Sequence, residues 1–220
     1  GINPADVSAT NTDDETAGIT VSSISGSTTE VGGTATFTVK LNSEPTANVT
    51  IGVTSSDTGE GTVSSSSLTF TSSNYNANQT VTVTGVNDNL DDGNQSYTIV
   101  LAEASSSDSG YSGMNPTDVT VSNTDDETAG VTVSSISGST TESGGTATFT
   151  VKLNSQPTAN VTIGVSSSDT GEGTVSPSSI TFTSSNWNAN QTVTATGVND
   201  SLDDGNQSYT IVLAAASSSD

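Results

Sequence analysis

Thr34-Ala35-Thr36-Phe37-Thr38-Val39-Lys40-Leu41 alternates strictly between polar and apolar side chains. A period of two puts Ala35, Phe37, Val39 and Leu41 on one face of an extended chain and the threonines and Lys40 on the other. That is a strand with one dry face and one wet face. The same eight residues return as Thr146 to Leu153. With 29% hydrophobic and 12% charged residues, composition alone suggests disorder. The alternation decides against it, because it supplies continuous apolar faces to bury.

Working outward, residues 1–108 align without a gap with 113–220, at a period of 112, and 15 of the 108 positions differ. Most changes are mild, such as Ile19 to Val131, Leu68 to Ile180 and Tyr75 to Trp187. A period of this size is a domain length rather than a solenoid unit. Further strand patterns fall at Ile19–Val21, Val49–Val53, Val63, Leu68–Phe70, Val81–Val83, Tyr97–Leu101 and Val119–Val121, separated by Gly-, Ser- and Asn-rich turns. No helical periodicity competes. The expectation is all-β, with tandem immunoglobulin-like antiparallel β-sandwiches of about seven strands each.

The domains are expected at 16–127 and 128–220, with 1–15 the terminal strand and acidic linker of a preceding repeat. Residues 1–15 match 113–127, and the second repeat stops before the counterpart of Ser109–Val121. The expectation is an unattached last strand at one end and a vacant last-strand position at the other. A neighbouring repeat, or an identical chain joined head-to-tail, can fill the vacancy by strand addition.

Charge narrows the partners. The chain has 24 acids, 2 Lys or Arg and no His, for a formal charge of -22. Nucleic acid and anionic membranes require Lys and Arg, so neither fits, and no apolar run is long enough for direct membrane insertion. Without His or Cys, zinc, copper, haem and iron–sulfur sites lose their usual ligands, and imidazole or thiol catalysis is excluded. Carboxylate pairs alone can serve a glycosidase. Here near-identical acids recur in both repeats, which reads as a module repeated for length, not an enzyme.

The acids cluster between strands. Glu30, Asp57, Asp88 and Asp92 precede or follow strands of the first repeat, and Asp125, Asp126 and Glu127 follow its last. The second repeat has Glu142, Asp169, Asp200 and Asp204. Loops at one end of an antiparallel sandwich converge, and calcium takes about 6–8 oxygens. These residues are therefore candidate Ca2+ ligands. Asp13, Asp14 and Glu15 copy the junction acids and are expected to serve a neighbour's site.

The chain resembles the Calx-beta family. The resemblance rests on Glu30 within Thr29-Glu30-Val31-Gly32-Gly33, on Asp57, on Gly85-Val86-Asn87-Asp88-Asn89-Leu90-Asp91-Asp92-Gly93 and on the run from Val119 to Glu127. It implies calcium held between such loops and the acids after the last strand. Asn87 and Asn89 stand where family members commonly carry Asp, and Asp92 where they carry Glu. Fewer and shorter carboxylates imply fewer ions or weaker binding. The expected function is a structural, calcium-binding spacer in an extracellular or cell-surface bacterial adhesin-like protein. Two alternatives stand beside it: a filament subunit joined by donated strands, and a carbohydrate-binding module, whose glycan partner the threonine faces would meet.

Overall fold

The computed structural model describes all 220 residues. The chain is all-β, with 16 strands in four sheets. It divides into two compact units, residues 1–87 with 94–124, and residues 88–93 with 125–220. No helix is long and apolar enough to cross a membrane.

The first unit holds β1 (Ile19–Val21), β2 (Thr28–Thr29), β3 (Thr34–Leu41), β4 (Val49–Ser55), β5 (Gly61–Val63), β6 (Ser67–Phe70), β7 (Gln79–Gly85), β8 (Gln95–Leu101) and β9 (Val119–Thr124). One sheet runs β1-β3-β7-β5 and the other β2-β9-β8-β4-β6. The period-two reading places the core. Phe37 stands opposite Val81 and Ala35 opposite Val83 in the β3–β7 ladder, and all four are buried. Across from them, Ile51, Val53, Phe70, Ile99, Leu101 and Val121 come from the other sheet into the same apolar cluster. Two sheets thus close on one core, the arrangement that hides a one-faced sheet from water.

β9 completes this unit. It pairs antiparallel with β8, with Tyr97 opposite Val121 and Ile99 opposite Val119. On its other side it pairs parallel with the two residues of β2. Tyr111, 1% exposed, locks the preceding loop: its hydroxyl donates to the Ser43 carbonyl at 2.7 Å. Residues 1–16 are exposed and belong to no strand.

The second unit holds β10 (Val131–Val133), β11 (Thr146–Leu153), β12 (Val161–Ser167), β13 (Gly173–Ser176), β14 (Ser179–Phe182), β15 (Gln191–Gly197) and β16 (Ile211–Leu213). Its sheets run β10-β11-β15-β13 and β14-β12-β16. The strand pairs and registers repeat those of the first unit with the offset of 112. β13 is one residue longer than β5, and two elements are reduced. The counterpart of β2, Thr140–Thr141, is no strand, and the counterpart of β8 shrinks from seven residues to three. Both elements lean on β9 in the first unit and lack that neighbour here. Trp187 packs against the second core as Tyr75 does against the first, each half-buried, as a ring covering an edge should be.

Candidate metal centre

Three carboxylates gather within the second unit. Gly173 of β13 pairs with Gly197 of β15, so the residue before one strand and the loop after the other lie at the same end of the ladder. The Val198 N–H bonds the Glu172 carbonyl at 2.9 Å and holds them there. Glu172, Asp200 and Asp204 each bring a carboxylate oxygen within 4.8 Å of the others. The loop supporting the two aspartates is shaped by its own bonds. Asp200 accepts from the Leu202 N–H at 2.9 Å, the Asp204 carbonyl accepts from the Gln207 amide at 2.9 Å, and Gly205 turns the chain at φ 76°.

Burial raises the Glu172 carboxyl above its ordinary range, and the nearby charges of Asp204, Asp200, Asp169 and Glu142 raise it further. Like charges brought this close oppose one another's ionisation. A divalent cation removes that opposition. Calcium sits about 2.3–2.6 Å from its oxygens, so ligand atoms within 4.8 Å of one another match one shared ion. The donor set is all oxygen, the set for a hard cation.

The second unit also contains the segments 88–93 and 125–129, which are bonded together. The Asp125 carboxylate accepts from the Gly93 N–H at 2.8 Å and the Glu127 N–H at 3.0 Å, and Asp91 accepts from the Ala129 N–H at 2.7 Å. Asp125 and Glu127 each offer an oxygen within 4.8 Å of the other, as do Asp88 and Asp92. One carboxylate oxygen of Glu127 is buried without a hydrogen-bond partner. A buried anionic oxygen without a donor is costly, and a cation is one remedy. Asp126 points to solvent.

The remaining candidates are placed as follows. Glu30 belongs to the first unit, is 2% exposed and bonds the Thr124 carbonyl through its N–H at 3.0 Å. Asp57 is exposed and turns its carboxylate onto the Gly59 N–H at 2.9 Å, and Asp169 does the same with Gly171 at 2.9 Å. Neither aspartate joins a three-acid group. Glu142 is exposed, and so are Asp13, Asp14 and Glu15.

Glu172 was not among the sequence candidates, nor was Glu60, 112 positions earlier in the first unit. Glu60 accepts from the Asn123 amide at 3.3 Å. Each glutamate immediately precedes the Gly-Thr-Val of a short strand, and the register of that strand with its neighbour would have pointed to both. Tyr97 lies beside this network. Its hydroxyl is pushed above its ordinary pKa by burial, against a lowering bond to Thr28, with the Glu60 charge adding to the rise.

No family model matches the chain, and no curated protein matches it. Among solved structures it is similar to the YadV chaperone, at 9% identity and TM-score 0.35 over 84% of this chain and 88% of that one. It is similar to the calcium-binding domain CBD12 of CALX1.1, at 16% identity and TM-score 0.35 over 80% of this chain and 73% of that one. Domains 5–6 of the S-layer protein SbsC match at 22% identity and TM-score 0.27 over 93% and 97%. These scores are low. The Calx-beta resemblance therefore stands as a weak structural likeness, and the chain is assigned to no family.

Proposed function

We propose that this chain is a non-enzymatic spacer module stiffened by calcium, built from tandem repeats for use on an extracellular surface. In this reading 16–127 and 128–220 are immunoglobulin-like sandwiches, and adjacent repeats of the same protein are their partners. The observation that carries the reading is the convergence of Glu172, Asp200 and Asp204 oxygens within 4.8 Å in a chain with 24 acids and 2 bases. The buried Glu127 oxygen supports it independently. Extracellular modules hold calcium with dissociation constants of about 10⁻⁴–10⁻³ M, weak enough for a site with few carboxylates and matched to calcium outside cells. Binding to the folded state alone stabilises it.

Isothermal titration of the metal-free chain with calcium, repeated on Glu172→Gln, tests this. Saturable binding weakened at least tenfold by the substitution is expected. Absence of heat and of any melting shift at 10-fold more than millimolar calcium would overturn the proposal.

A further inference from the structure

We draw no further inference here: the strongest candidate, the hydroxyl-lined outer face of the β3–β7 ladder, where Thr34, Thr36 and Thr38 stand opposite Thr84, Thr82 and Thr80, is a wet sheet face and nothing in the structure shows what covers it.

Discussion

Thr28 donates its hydroxyl hydrogen to Asn123 Oδ1 across 3.0 Å, although 95 residues separate them. Both side chains are fully buried. The Tyr97 hydroxyl lies 3.1 Å from Thr28, and the Asn123 amide reaches the Val86 carbonyl at 3.0 Å. This polar chain ties the last strand to the start of its own unit.

Asn123→Ala should therefore be costly. It strips buried acceptors and donors of their partners, which costs about 1–3 kcal/mol per orphaned group. The first unit's urea midpoint is expected to fall, measured by circular dichroism. Trp187, the single tryptophan, lies in the second unit, so its fluorescence midpoint should hold.

Gly61 and Gly173 provide a matched pair. A Cβ at Gly61 would overlap the Tyr97 ring, and one at Gly173 the Tyr209 ring. Tyr97 is 3% exposed and held by β9, whereas Tyr209 is half-buried. Gly61→Ala is expected to cost about 1–3 kcal/mol, the range for overpacking a filled core. Gly173→Ala should cost less, because its tyrosine has room to move. Paired denaturant midpoints check the difference.

Glu172 contributes a pH dependence to the metal-free second unit. Its carboxyl pKa is raised in the folded state by burial first and by neighbouring acids second. The folded unit then binds a proton more readily than the unfolded chain, so stability falls as pH rises through the window above the ordinary carboxylate range. The Trp187 midpoint is expected to be higher near pH 5 than near pH 7, and Glu172→Gln should flatten the change. Asp108 in the first unit acts with the opposite sign. Its pKa is lowered by the Thr46 and Gly110 N–H bonds, so its contribution is lost as pH falls below the ordinary carboxylate range.

Calcium should reverse the acid preference of the second unit. At a hundredfold excess over its dissociation constant it adds about 2.7 kcal/mol, and EDTA should remove that gain. Asp169→Asn is expected to reduce it less than Glu172→Gln, because the Asp169 carboxylate is engaged by Gly171. Melting curves with and without calcium, on both variants, measure the contrast.

The strands were legible where one face is dry. Thr34–Leu41 alternates through all eight residues, and its burial follows the same beat. The two-residue β2 carries no such pattern; it exists because β9 lies beside it. The shortening of β16 has the same origin, since identical residues at 95–101 and 207–213 form ladders of different length. A strand's neighbours, which propensity does not encode, decide its extent. Among the acids, clustering between strands was visible, but the reach of one carboxylate was not. Asp169 folds back on its own loop, while Glu172 is delivered to Asp200 and Asp204 by the pairing of Gly173 with Gly197.

The place of β9 also dictates an order of events during synthesis. The slot between β2 and β8 stays open until residues 119–124 leave the ribosome, because nothing earlier in the unit completes it. Closing it joins residues far apart in sequence, a slow class of step.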